Sequence, residues 1–132
     1  MKFLVIGGNA AGMSAASRVK RKSPDTEVVV LEQTHEVSYG ACGLPYYVAG
    51  LNNNLDLMRI RKADQFLANG VDLRLGCDVT GADFTAKTVS YTDEKGEAHV
   101  ESYDKLLIAT GSSPKVPPIA GIRQKNIFPL KT

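Results

Sequence analysis

The stretch that most constrains this chain is Lys2 to Lys22: a short apolar run, Phe3-Leu4-Val5-Ile6, a glycine turn, Gly7-Gly8-Asn9-Ala10-Ala11-Gly12, and a segment of helical periodicity. A buried strand that stops at glycines and reopens as a helix aims backbone N–H groups and a positive helix end at one point, which suits a pyrophosphate. Gly7 and Gly12 stand at the first and third glycine positions of G-x-G-x-x-G, and Asn9 occupies the second. Asparagine tolerates positive φ better than most residues, so the turn is expected to survive with an altered approach to phosphate. Taken alone, the pattern also serves as a plain βα turn in any doubly wound fold.

The helix is expected to begin near Ala11 and to lay Gly12, Ala16 and Val19 against a sheet. Ser14, Arg18 and Arg21 follow i, i+4, i+7 spacing and form a stripe on the other side, with Lys20 and Lys22 at the helix end. Such a cationic last turn also complements the helix dipole and serves as a solvated face. Ser23-Pro24-Asp25 ends the helix, and Thr26 to Leu31 is continuous and β-branched, as a buried parallel strand should be. Glu32 closes that strand 20 positions after Gly12. A carboxylate there can accept both hydroxyls of an adenosine ribose and repels a 2′-phosphate; the alternative is an ordinary polar strand end.

Size and charge narrow the options. At 132 residues, 43% of them apolar, the chain can bury one core and leaves no room for a second full domain. A net charge of +2, from 16 basic and 14 acidic residues, gives no global field for nucleic acid or a membrane surface, so any anion site must be local. No secretory n- and h-region precedes the first strand, and no apolar run approaches the ~18 residues of a membrane span, so a cytoplasmic protein is expected. Cys42 and Cys77, 35 positions apart, have neither zinc-ligand nor C-x-x-C spacing; no disulfide between them and no metal site are expected.

The run Ser38-Tyr39-Gly40-Ala41-Cys42-Gly43-Leu44-Pro45-Tyr46-Tyr47 sets a cysteine between a glycine turn and a Pro-initiated apolar helix. The helix dipole there favours thiolate over thiol; the bland alternative is a small buried hydrophobe. Further on, Arg59, Arg61 and Lys62 form a second basic cluster, Lys62 to Asn69 forms a short helix closed by Gly70, and Val71 to Leu75 forms a strand. A small antiparallel meander follows from about Val79 to Tyr103, with a turn at Asp93-Glu94-Lys95-Gly96. Tyr103 to Gly111 is another buried strand, ending Ala109-Thr110-Gly111, and Asn126-Ile127-Phe128 is expected to add one more short strand.

The Gly7 loop, Glu32 and the Ser38 to Tyr47 run together resemble the flavin-dependent pyridine nucleotide-disulfide oxidoreductases, in the single-cysteine branch that includes coenzyme A-disulfide reductase, NADH oxidase and NADH peroxidase. Better-known members carry two cysteines separated by four residues, whereas here the position five after Cys42 is Tyr47. The resemblance implies an α/β fold: a Rossmann-like FAD-binding domain with an inserted antiparallel β-meander. It makes residues 1–113 the incomplete front of that domain and 114–132 an exit segment toward an NAD(P)-binding domain.

The same resemblance implies FAD at Gly7, Gly8, Ala11, Gly12, Glu32, the main chain of Val79, Thr110 and Gly111, with NAD(P)H as the reductant. Cys42 is then the redox-active residue, and Ser14, Arg18, Arg21 and Ser38 match positions that contact coenzyme A in coenzyme A-disulfide reductases. The reductase pattern often has Asn before the cysteine, where this chain has Ala41, which leaves a persulfide or polysulfide substrate open. Oxidase and peroxidase relatives commonly have a histidine at the position of Ala10, and alanine cannot shuttle a proton. The first function expected is therefore reduction of a small disulfide or persulfide by a homodimeric enzyme. Reduction of oxygen through a cysteine sulfenic acid, or a non-catalytic nucleotide-binding module, are the alternatives.

Overall fold

The computed structural model describes residues 1–131. Four parallel strands form the central sheet: β1 (Lys2–Ile6), β2 (Glu27–Leu31), β3 (Val71–Arg74) and β7 (Lys105–Ile108), in the spatial order β3-β2-β1-β7. Helix α1 (Ala10–Lys22) connects β1 to β2, and the short helices α2 (Leu44–Val48) and α3 (Ala63–Ala68) lie in the connection from β2 to β3. Strands β4 (Asp78–Asp83), β5 (Thr88–Thr92) and β6 (Ala98–Ser102) make a separate antiparallel meander. The family fold expected from the sequence is thus the observed one.

Side chains alternate across a strand, so a strand apolar at every position must be covered on both faces. Val5, Val28, Val30 and Val71 point to one side and pack with Met13 and Ala16 of α1 and Phe66 of α3. Leu4, Ile6, Val29 and Leu31 point to the other, where Val89 and Tyr91 of β5, with Cys77 and Tyr103, cover them. The meander therefore replaces a helical layer, with helices on one face of the sheet and three strands on the other.

Polar contacts tie the meander to the sheet. Glu101 of β6 accepts hydrogen bonds from Lys2 of β1 and, at 2.5 Å, from Nη1 of Arg74 of β3, which also donates to the Tyr91 hydroxyl at 3.0 Å. Burial alone would raise the Glu101 pKa; the bonds from Lys2 and Arg74 together more than offset it and hold the carboxyl below its usual range.

Register sets where the strands end. Ile6 is paired with Leu31 on one side and Ile108 on the other, so Gly7, Glu32 and Ala109 emerge side by side at the carboxyl edge of the sheet. That edge is where open α/β sheets bind ligands. Three expectations need correction. Asn9 has φ −98°, so the turn takes its positive φ at Gly7 (+106°) and asks nothing unusual of Asn9. Helix α2 has five residues, too short for a full macrodipole. Asn126 to Phe128 forms no strand and pairs with no neighbour among the described residues; Ile127 and Phe128 are exposed.

Replacing Glu101 by Gln should cost about 1–3 kcal/mol, because a half-buried guanidinium and ammonium lose their anion. A lowered carboxyl pKa stabilises the fold above its unfolded-state value and ceases to do so as pH falls through the folded-state value. Urea midpoints of wild type and Glu101→Gln should therefore differ at neutral pH and converge in acid.

Candidate functional site

The glycine turn is built by close backbone approach. A Cβ on Gly12 would lie 1.8 Å from the Gly7 carbonyl oxygen, and one on Gly7 would lie 2.4 Å from the carbonyl oxygen of Ala109. Neither contact can relax, since the opposing atoms are main chain. Gly8 donates its N–H to Oε2 of Glu32 at 2.6 Å, while Oε1 of Glu32 accepts from the N–H and hydroxyl of Thr34 at 2.8 and 2.7 Å. Glu32 thus stands beside the turn, fixed in position.

Around this turn, Gly7, Glu32, Gln33 and Thr110 line two adjoining clefts. One, of about 150 Å³, runs toward Cys77, Asp78 and Val79. The other, of about 290 Å³, continues past Asn9 and Tyr39 to Gly111. Five of the residues proposed for the nucleotide from sequence (Gly7, Glu32, Val79, Thr110 and Gly111) therefore share one groove. Gly8 lines neither cleft and holds Glu32 through its N–H, Gly12 acts through packing, and Ala11 is exposed on the first turn of α1 without lining either cleft.

The segment bearing Cys42 is clasped to the turn. Ser38 donates its N–H to the Gly8 carbonyl at 3.0 Å, and Tyr39 donates its N–H to the Asn9 side-chain oxygen at 2.9 Å. On the far side, Ile60 donates to the Ser38 carbonyl at 3.0 Å and Gly40 to the Met58 carbonyl at 2.7 Å. Held from both sides, Ser38 adopts a left-handed conformation (φ +51°) that is uncommon for a residue with a side chain. Arg59 is tied down by Glu36 and Asp56, and Leu44 and Met58 anchor the loop by burial.

Cys42 lies in the 3₁₀ turn Ala41–Gly43 with an exposed side chain. It lines a cleft of about 460 Å³ with Ser14, Arg21 and Ser38, and with Asn9 and Tyr39, which also border the nucleotide groove. The two spaces therefore adjoin at Asn9 and Tyr39. Arg18 is exposed on α1 but does not line this cleft. Asn9, Ser17 and Arg61 border it without having been assigned a role from sequence. The basic cluster Arg59-Arg61-Lys62 was visible, but only the pairing of Arg59 with Glu36 and Asp56 reveals that Arg61 is the member facing the site.

Other candidate groups lie elsewhere. Cys77 is free and buried in the meander-side core, where burial pushes its thiol pKa up. His35 is exposed beside Glu94, and His99 stacks on Tyr91 and meets Asp93, so neither reaches the Cys42 cleft. Asp93, Glu97 and His99 gather at the meander turn, where Oδ1 of Asp93 accepts the N–H groups of Lys95 and Glu97, as a turn requires. No helix among the described residues is long and apolar enough to cross a membrane.

A phosphate-suited turn, an acidic strand end beside it and a cysteine loop clasped to both define a dinucleotide fold of the flavoenzyme type. The chain belongs to the pyridine nucleotide-disulphide oxidoreductase family, whose pattern it matches over residues 1–132. It is 42% identical over 127 residues to an NAD(P)H coenzyme A polysulfide/persulfide reductase of Pyrococcus horikoshii, covering 96% of this chain and 28% of that protein. It is 34% identical over 131 residues to an NADH oxidase of Lactococcus lactis, covering 99% and 29%. The structure of an NAD-dependent persulfide reductase from A. fulgidus superposes with a TM-score of 0.94 at 39% identity, covering all of this chain and 26% of that one. The chain thus spans under a third of the length of these relatives.

Replacing Asn9 by Ala removes the acceptor of the Tyr39 N–H and should cost about 1 kcal/mol. Faster hydrogen exchange at the Tyr39 amide, with the β1 amides unchanged, is the expected result. Gly12→Ala, by contrast, forces the helix off the turn and should destabilise the fold by at least ~3 kcal/mol, as read by chemical denaturation.

Proposed function

We propose that this chain is the front part of a flavin-dependent NAD(P)H oxidoreductase that reduces a small disulfide or persulfide, coenzyme A-linked, at Cys42. The observation that carries this reading is that Cys42 opens into the same cleft as Ser14, Arg21 and Ser38, and that this cleft adjoins the groove at the glycine turn, with Asn9 and Tyr39 bordering both.

The residues present fit FAD. The turn where no Cβ fits lets a pyrophosphate come close to the main chain at Gly7 and Gly8, Glu32 stands where ribose hydroxyls would be received, and Val79 borders the end where the adenine would lie. Thr110 and Gly111 close the groove beside Gly7. Ala11 would contribute from the first turn of α1. When bound, FAD supplies electrons two at a time, received from NAD(P)H, and these return a Cys42 mixed disulfide to the thiolate.

The chain's own chemistry is thiol exchange. Sγ of Cys42 attacks one sulfur of the substrate S–S bond; a new S–S bond forms to Cys42, and the other sulfur leaves with the bonding pair as a thiolate or hydrosulfide. Tyr47 at the fifth position after Cys42, and Cys77 in the core on the opposite face of the sheet, leave the sulfur to pair with an external partner. Ser14, Arg21 and Ser38 would hold the substrate beside the sulfur, and Arg18, just outside the cleft, would attract its phosphates at longer range.

On this reading residues 1–113 are the front of the flavin domain and 114–132 are the exit segment toward an NAD(P)-binding domain; Pro114 and Lys131 border the groove at the glycine turn. A homodimer in the reducing cytoplasm is the setting proposed for the enzyme, where a sulfur without a mate in its own chain can stay reduced. Oxygen reduction is the second reading, favoured by the NADH oxidase relative. Ala10 on the cleft wall, and both histidines away from it, leave no imidazole to move a proton beside Cys42, which favours disulfide chemistry.

In the full-length enzyme, Cys42→Ser should retain reduction of the flavin by NAD(P)H and abolish reduction of coenzyme A persulfide or disulfide. The decisive measurement is anaerobic reoxidation of the reduced wild-type flavin on mixing with those substrates. Reoxidation by oxygen alone would transfer the protein to the oxidase reading.

A further inference from the structure

We propose that Asn9 is a positioning residue for the sulfur chemistry: its side-chain oxygen fixes the loop that carries Cys42 against the glycine turn, and so governs how electrons reach the sulfur from the nucleotide groove. The inference rests on the disulfide-reductase reading above and adds a residue to it.

An asparagine just before a helix ordinarily uses its side-chain oxygen to accept a free amide of the first turn. Asn9 stands immediately before α1, and its main-chain carbonyl accepts the first helical bond, from the Met13 N–H at 2.9 Å, yet its side chain caps nothing in the helix. That oxygen instead accepts the Tyr39 N–H at 2.9 Å, 30 residues further along the chain. The helix forgoes its cap, and a distant loop is held.

Two hydrogen bonds join that loop to the glycine turn: Ser38 N–H to the Gly8 carbonyl, and Tyr39 N–H to Asn9. The first is main chain to main chain, so Asn9 supplies the only side-chain hydrogen bond across this seam among the described residues. Ser38 has φ +51°, and a residue with a side chain persists there only where its surroundings over-determine it. Removing the Asn9 acceptor takes away one of those constraints at the very next residue.

A shift at Tyr39 is passed on to Cys42. The Tyr39 carbonyl accepts the Ala41 N–H at 3.1 Å and the Gly40 carbonyl accepts the Gly43 N–H at 2.9 Å, so the turn that presents the sulfur is built on Tyr39 and its neighbour. Asn9 and Tyr39 also border both the Cys42 cleft and the groove at the glycine turn. On the proposed reading two electrons must cross that border. The S–S bond between Cys42 and the substrate sulfur then breaks, both sulfurs are left as thiolates, and the electrons come from FAD that NAD(P)H has already reduced, its protons passing to water. Misplacing reacting groups by about 1 Å slows a step by up to about a hundredfold. A contact that fixes this border therefore acts on the disulfide step and not on the hydride transfer that precedes it.

The test separates the two half-reactions of the full-length, FAD-saturated enzyme without oxygen: reduction of the flavin by NAD(P)H, and its reoxidation by coenzyme A persulfide or disulfide. Asn9→Ala should leave the first close to wild type and slow the second about tenfold. Asn9→Asp, which keeps an oxygen for the Tyr39 N–H, should recover most of that loss. Amide hydrogen exchange gives a reading independent of turnover. In Asn9→Ala the Ser38 and Tyr39 amides should both exchange faster, while those of Gly40 and Ile60, bonded to the Met58 and Ser38 carbonyls, stay protected, because the loop leaves the turn as an intact unit.

Reoxidation at the wild-type rate in Asn9→Ala overturns the proposal and leaves the reductase reading standing. Equal slowing of both half-reactions overturns it as well, because that is the mark of a damaged cofactor groove. Asn9→Asp as slow as Asn9→Ala in reoxidation does the same, since the acceptor oxygen is then not what matters. A wild-type flavin that neither substrate reoxidises removes the reductase reading and the role of Asn9 with it.

Discussion

Backbone lies against backbone at the centre of this molecule, in a space too small for a single methyl group. Gly12 of the helix presses on the carbonyl of Gly7, and Gly7 presses on the carbonyl of Ala109 at the end of a strand that arrives about a hundred residues later. Those two contacts bring α1, β1 and β7 to one point and decide where the strand ends face. The nucleotide groove, the acidic residue at its side and the loop that carries the cysteine are all located relative to it.

The sheet divides the labour between its two faces. On the helical side, α1 and α3 form the wall along which the cysteine cleft runs, with Met13 and Phe66 reaching from the core to its floor. On the other side, the meander covers Leu4, Ile6, Val29 and Leu31, and brings Val79 to the rim of the nucleotide groove. Glu101, gripped by Lys2 and Arg74, locks this second layer to the first. A layer on the face of the sheet away from Cys42 thus shapes one end of the groove at the glycine turn.

Much of this was legible in the sequence because it is encoded locally. Continuous apolar runs at Phe3 to Ile6 and at Val28 to Leu31 mark strands buried on both faces, and the spacing of Gly7, Gly12 and Glu32 fixes the turn and its acidic neighbour. What escaped depends on contacts across the chain. Asn9 looked like a residue chosen for its backbone, yet its backbone is ordinary and its side chain holds Tyr39. Arg59 and Arg61 look alike in a basic cluster, and only Glu36 and Asp56, which neutralise the first, reveal the second as the one left open to a cleft. Apolar Ile127 and Phe128 suggested a strand, but propensity without a partner to pair with makes none.

The grip of Glu32 on the Gly8 amide has one more implication. The hydrogen-bond donor best placed to greet a bare anion already holds a negative group at 2.6 Å, so a lone inorganic ion entering there would meet repulsion before it found a donor. A sugar brings the opposite endowment: hydroxyls that donate to the acid and, through a linked diphosphate, charge delivered a little further along, at the turn itself. On the proposed reading, the doorway would sort visitors by their architecture, favouring a phosphate that a ribose escorts.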